Sequence, residues 1–307
     1  MTVRKAAVAA APVVFVLLWS TGFIGAKYGL PYAQPFTFLA LRLGLAGVLL
    51  AAMAAVTRSA LPSSRAQYGR AGVVGLLLHA GYLGGVFYGI GHGLPASVAA
   101  VVVSLQPVLT AALATRLLGE QLIAVQWLGL AVGVGGVALV LGPGLAAASQ
   151  PGSLPPAGVV ACFVALAAGT AGTIYQKRHG DTVPLLSGTA VQYAAASLTL
   201  LLGAAVSENL RIDWTAKFVA ALAWLVLALS LGAVLLLLLL LRRGSAAGVS
   251  SLFYLVPPAT AIEAYFLFGE KLPPLSLAGV AVTAIGVALV LRPPNPASSS
   301  STRPEVS

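Results

Sequence analysis

Ionisable side chains are scarce inside the apolar stretches of this chain, and each one found there is a candidate for chemistry. A charge in hydrocarbon costs several kcal/mol unless it faces a polar cavity. Arg42 lies about six residues into the second apolar stretch, roughly 9 Å deep at 1.5 Å per residue, and Glu263 lies at a similar depth in the ninth. The two are expected to share one half of a cavity and to pair. The plainer alternative is that each snorkels or satisfies a backbone carbonyl near a helix end. His79 falls near the middle of the third stretch, where an imidazole can relay protons, although a lone histidine there more often packs as a neutral hydrogen-bonded group. Lys27 and Lys177 close the first and sixth stretches and read either as interfacial anchors or as gate charges that attract a solute. Glu120 and Glu270 each follow a glycine in a short turn, where a carboxylate is expected to cap the next helix and favour its macrodipole.

Softer candidates for a solute pathway are Trp19, Thr21, Tyr82, Gln106, Tyr175, Gln192 and Tyr254. Pro107, Pro257 and Pro258 free backbone carbonyls in the fourth and ninth stretches. Broken backbone at membrane depth is tolerated only against protein or a cavity, so these two stretches are expected to wall one. None of this is enzyme chemistry. The chain has no paired-carboxylate cluster, no metal-ligand spacing, no phosphate-cradling glycine loop and no nucleophile–histidine–acid set, so neither metal nor cofactor is implied. The glycines of Gly89-Ile-Gly91-His-Gly93 follow no strand and read as a turn.

The elements that must position these residues are helices in lipid. Of 307 residues, 59% are hydrophobic and 8% charged, against about a quarter charged in an ordinary soluble domain. Spanning the hydrocarbon core takes roughly 20 apolar residues, and ten stretches qualify: 6–26, 36–56, 71–90, 96–116, 125–141, 157–175, 184–206, 217–241, 246–268 and 274–291. Runs such as Val234–Leu241 are apolar on every face, which a membrane β-barrel strand is not.

The chain also contains itself twice. Ala96–Leu141 laid over Ala246–Leu291 matches at 19 of 46 positions without a gap, and the same offset of 150 aligns Ser20–Lys27 with Thr170–Lys177. Duplication in a hydrophobic chain marks transporters built from two halves around a central site. Residues 1–141 form the first half, 142–156 a Gly/Pro/Ser-rich linker, 157–292 the second half, and 293–307 a polar tail expected to be disordered.

The net charge of +10 does not indicate nucleic acid, because the basic residues sit at helix ends rather than on one face. With the N-terminus inside, twelve Lys and Arg fall on the cytoplasmic side and four (Lys27, Arg211, Lys217, Lys271) on the other. That bias puts both termini in the cytoplasm. An odd number of spans per half then inverts one half relative to the other. The single cysteine, Cys162, permits no internal disulfide and reads as a packing residue.

In order and duplicated, the motifs resemble the EamA-type branch of the drug/metabolite transporter superfamily. The residues that carry this are Trp19-Ser-Thr-Gly-Phe-Ile-Gly-Ala-Lys27, Pro35-Phe-Thr-Phe-Leu-Ala-Leu-Arg42, and Pro107 through Gly119-Glu120 to Gly129 and Gly136. The last is repeated as Pro257 through Gly269-Glu270 to Gly286. The resemblance covers about residues 10–292 and implies an all-α membrane protein of ten helices in two inverted five-helix repeats. Helices 1–4 and 6–9 would line a cavity, and helices 5 and 10 would be peripheral. It further implies export of small metabolites, amino acids or drugs across the bacterial inner membrane. The chain is accordingly read as a secondary transporter, expected as a monomer or homodimer with protons as a candidate coupling ion. An importer, a lipid or nucleotide-sugar carrier, and a membrane enzyme or scaffold stand as alternatives. Two positions depart between the halves: Gly169 stands opposite Trp19, and Gln192 opposite Arg42.

Overall fold

The structure is a computed structural model describing residues 3–117, 122–147, 153–179, 183–233, 236 and 252–290, with side chains from Ala11 onward. Ten apolar helices make up most of it. They are α1 (Val3–Gly29), α2 (Pro35–Val56), α3 (Arg65–Gly91), α4 (Ala96–Leu117), α5 (Ala124–Ala146), α6 (Pro156–His179), α7 (Leu185–Ser207), α8 (Ala216–Ala233), α9 (Phe253–Phe268) and α10 (Pro274–Val290). Eight of them, α1 to α8, are long and apolar enough to cross a membrane, while the described parts of α9 and α10 are shorter. Large side chains such as Val48, Val206 and Phe266 are exposed around the bundle. Water would penalise that surface and lipid does not.

Local chemistry sets the helix ends. Ser64 accepts the Gln67 N–H and starts α3 at Arg65, six residues before its apolar run. Thr215 caps α8 in the same way through Phe218. Gly269 (φ +65°) takes the left-handed conformation that ends α9. One expected boundary moves. Helix α5 does not stop at Leu141 but continues through Gly142 and Pro143 to Ala146. A proline so near a C-terminus removes a single intrahelical bond, and the Leu154 N–H donates back to the Gly144 carbonyl at 3.0 Å.

Four helices are irregular. Helix α4 breaks at Ser104–Leu105, just before Pro107, and α9 opens with a 3₁₀ turn, Phe253–Leu255, just before Pro257. Helices α3 and α8 widen into π-helix at Gly75–Gly81 and Trp224–Ala233. These two segments lie at matching places under the 150-residue offset. The widening changes the bonding: Ser230 Oγ donates to the Leu225 carbonyl, five residues back.

Packing joins α5 to α10, α2 to α7, α3 to α6, and α1 to both α8 and α9. The α5/α10 seam is close enough that only glycine fits. A Cβ on Gly136 would lie 2.4 Å from the Thr283 nitrogen, and one on Gly286 would lie 2.3 Å from the Gly133 nitrogen. Gln126 Nε2 donates to the Val290 carbonyl at one end of the seam, and Ser276 Oγ to the Val140 carbonyl at the other. Positions 126 and 276 are offset by 150, as are 140 and 290, so the two bonds exchange partners across the seam.

Candidate functional site

The turns α1–α2, α3–α4, α7–α8 and α9–α10 gather at one end of the bundle, and that end is closed. Gly269 turns the chain so that Glu270 meets the start of α4, where its carboxylate accepts from the Ala96 N–H (3.0 Å) and the Ser97 hydroxyl (2.8 Å). Lys27 at the end of α1 pairs with the same carboxylate and stands over the Phe268 ring at 4.7 Å. Burial alone would raise the Glu270 carboxyl. Lys27, Ser97 and the Ala96 N–H outweigh it and hold the group below the usual carboxylate range. Glu270 therefore caps a helix N-terminus, but that of α4 rather than of the helix that follows it.

A second carboxylate works alike. Glu208, just after α7, accepts from the Phe36 N–H, the Thr37 N–H and the Thr37 hydroxyl at 2.7–2.8 Å, capping α2. Beside it, Ala33 and Ile212 form an antiparallel bridge, and the Asp213 N–H donates to the Tyr32 carbonyl at 2.8 Å. Each of these contacts ties residues before 142 to residues after 156.

Deeper in the bundle lies a polar cluster. Arg42 on α2 is 5% exposed, its guanidinium 5.8 Å from the Phe87 ring centre, and its Nε has no hydrogen-bond partner. His79, in the π segment of α3, lies 3.3 Å from Gln192 Oε1 and edge-on to the Tyr193 ring at 4.7 Å. Gly75 makes this approach possible, because a Cβ there would sit 2.3 Å from the Gln192 carbonyl oxygen. From the opposite end of the bundle a cleft of about 60 Å³ reaches Gln192, entered past Arg70, His179, Val183 and Thr189. That space admits water or the tip of a solute.

The expected Arg42–Glu263 pair is not formed. Glu263 on α9 contacts the Ser20 hydroxyl on α1 at 2.7 Å, and its second oxygen is buried without a partner. Arg42 stands beside Phe87 on α3, and α2 packs chiefly on α7, with α3 and α8 beside it.

With this geometry in view, likeness to known proteins is informative. The sequence profile of the EamA-like transporter family matches residues 6–142 and, a second time, residues 156–292. The chain belongs to that family. It is 27% identical to "Uncharacterized transporter YvbV" of Bacillus subtilis, over 90% of this chain and 88% of that one. It is 29% identical to "Probable terminal-alkyne amino-acid exporter" of Streptantibioticus cattleyicolor, over 91% and 92%. "Uncharacterized inner membrane transporter YedA" of Escherichia coli is 26% identical over 89% and 87%. One crystal structure superposes with a TM-score of 0.65 at 19% identity, covering 92% of this chain and 96% of that one, which speaks to the fold alone.

Within this EamA-type chain the remaining candidates disperse. Gln106, at the resumption of α4, donates to Thr173 Oγ1 (2.8 Å) and to the Gly169 carbonyl (3.2 Å). Tyr82 crowds the same glycine, leaving no room for a side chain where the other repeat has Trp19. Trp19 itself packs edge-on to Phe253 and tilts on Phe15. Thr21 accepts from the Trp224 indole at 2.9 Å, facing a groove between α1 and α8. Tyr175 lies on His179 near the open cleft, and Tyr254 packs half-buried at the start of α9. Glu120 lies outside the described residues.

Sequence reasoning missed Ser20, Ser97 and Glu208. Glu208 had a usable signal: a carboxylate at a helix C-terminus opposes that helix's dipole and so is better explained by serving another helix. The serines had none, because buried hydroxyls in apolar helices look like packing.

Proposed function

We propose that this EamA-family protein is a secondary active transporter working by alternating access, built of ten spans in two inverted five-helix halves, residues 1–141 and 157–292. Both termini lie in the cytoplasm, and the protein exports small amphipathic solutes such as amino acids, metabolites or drugs. One observation carries the reading: closure is one-sided. Lys27, Glu270, Glu208 and the Ala33–Ile212 bridge seal one end, while the cleft at the other end reaches Gln192, the partner of His79.

The exchanged bonds of the α5/α10 seam support halves related by a pseudo-two-fold axis in the membrane plane. The twelve-to-four bias of basic residues supports placing the sealed end outside. Export rests on the naming of the Streptantibioticus relative as an exporter. In this reading Arg42 receives an anionic group of the solute, since its Nε is buried without a partner, and such a site discriminates against solutes that leave it unpaired.

The test compares cells overproducing the protein with cells overproducing Arg42→Ala at equal membrane abundance, by untargeted mass spectrometry of medium and cytosol. The expected result is a solute enriched in the medium only with the intact protein. Equal medium and cytosol profiles for both, in rich and minimal media, would overturn the export reading.

A further inference from the structure

Glu263 is a carboxylate inside a span with almost nothing to hold a negative charge. Its Oε1 lies 2.7 Å from Ser20 Oγ, and its Oε2 is buried with no hydrogen-bond partner. Among the described residues no cation pairs with it. On α1, which packs against α9, the charged and titratable side chains near this end are Lys27 and Tyr28. Lys27 is taken by Glu270, and Tyr28 tilts on Phe268 at 4.8 Å. The first segment of α4 (Ala96–Val103) and all of α10 (Pro274–Val290), the other elements against α9, carry no titratable residue. On α9 itself the other titratable groups are Tyr254 and Tyr265.

Ser20 sharpens the point. It is fully buried, and its oxygen lies 2.9 Å from the Leu17 carbonyl as well as 2.7 Å from Glu263. A hydroxyl has one proton to give. If Glu263 is ionised, two acceptors compete for that proton and a carboxylate is left in an apolar seam with at most one donor. If Glu263 carries a proton on Oε1, the chain closes: the carboxyl donates to Ser20, and Ser20 donates to Leu17. A neutral acid with its hydroxyl bonded is tolerable there, whereas an unpaired carboxylate is not.

The position matters as much as the chemistry. Ser20–Glu263 and Lys27–Glu270 both join α1 to α9 at a separation of 243 residues. The two helices therefore run parallel and in register, with one contact two turns, about 10 Å, below the other.

We propose that Glu263 is the proton-binding carboxylate of this transporter, and that the sealed end assembles with the proton aboard. This rests on reading the sealed end as one of two alternating states. When that end opens, water reaches the α1/α9 seam and Glu263 ionises. When the proton returns, the seam can close. Protonation thereby biases which end is shut, which is the coupling that proton-driven exchange requires.

Two measurements test this, and they fail separately. The first is infrared spectroscopy of the full chain in lipid nanodiscs near neutral pH. The expected spectrum has the carbonyl stretch of a protonated carboxylic acid, absent in Glu263→Gln, shifted in Glu263→Asp and retained in Glu270→Gln. A spectrum without that band, or a band surviving in Glu263→Gln, would overturn the proton site whether or not the protein transports. The second is disulfide trapping across the sealed end, with Ala33→Cys and Ile212→Cys in a Cys162→Ser background. Trapping should fall severalfold as pH rises through neutrality, and in Glu263→Gln should stay high throughout. Equal pH dependence in both would overturn the coupling. A parent that traps at every pH would overturn the alternating-state reading and leave the infrared result to judge the proton site alone.

Discussion

Lys27 is about one-third exposed while Glu270 is nearly buried, so the two single substitutions are not equivalent. Lys27→Ala leaves the Glu270 carboxylate with the Ala96 and Ser97 donors but no cation. Hydrogen bonds to charged groups contribute about 1.5–3 kcal/mol, and exposure of the lysine trims that range. Closure of the sealed end should weaken by about tenfold, read as faster hydrogen exchange at residues 96–99. Glu270→Gln removes the charge that both the lysine and the α4 dipole favour, so it should loosen the same segment at least as much.

The pH dependence follows from the same pair. Because Glu270 is held below its ordinary range, its contribution is complete above the unfolded carboxylate pKa. It is lost only as pH falls through the lowered folded value. Acid should therefore open this latch below the pH at which an ordinary glutamate titrates, and Lys27→Ala should move that loss upward. Hydrogen exchange followed down the pH scale checks both statements.

Among elements, the α5/α10 seam depends most on the absence of side chains. At Gly136 an added Cβ would meet Thr283 backbone rather than a flexible side-chain tip, so the helices themselves must part. Overpacking of this kind costs typically 1–3 kcal/mol. Gly136→Leu should lower the thermal midpoint in detergent by several degrees, while the equally central Gly135→Leu, with open space around it, should leave it nearly unchanged.

Much of this was legible from residue type. Prolines 107 and 257 marked the break within α4 and the irregular start of α9. The π segments were not legible, since nothing in Gly75-Leu-Leu-Leu-His-Ala-Gly81 distinguishes five-residue from four-residue bonding. They become visible only where Gly75 presses against the Gln192 backbone. The partners of Glu263 and Glu270 were equally hidden, because a short turn names its own residues and not the distant helix it touches.

At the scale of the molecule, the duplication announced most of what followed, since the 150-residue offset that aligns the halves also relates the bonds at the two ends of the α5/α10 seam. The sequence could not say which end is shut in a given state, because both ends are built from one repeated pattern and the contacts that close an end join residues far apart in the chain. Oxidising the Ala33→Cys, Ile212→Cys pair should therefore arrest transport, and reducing it should restore the rate. The same pair left reduced controls for the substitutions themselves.

The widened segments of α3 and α8 carry a further consequence. A π turn holds one residue more than the α-helix around it needs, and that surplus can migrate along the helix without a hydrogen bond being lost for long. Each step it takes turns the intervening residue by about 100° about the helix axis. Helix α3 thus has the surplus residue that a rotary joint needs, and His79 lies within the widened segment. Deleting Ala80 would remove the surplus and leave a straight helix with both flanks still in register, so the protein should fold, reach the membrane, and be unable to turn His79 away from Gln192.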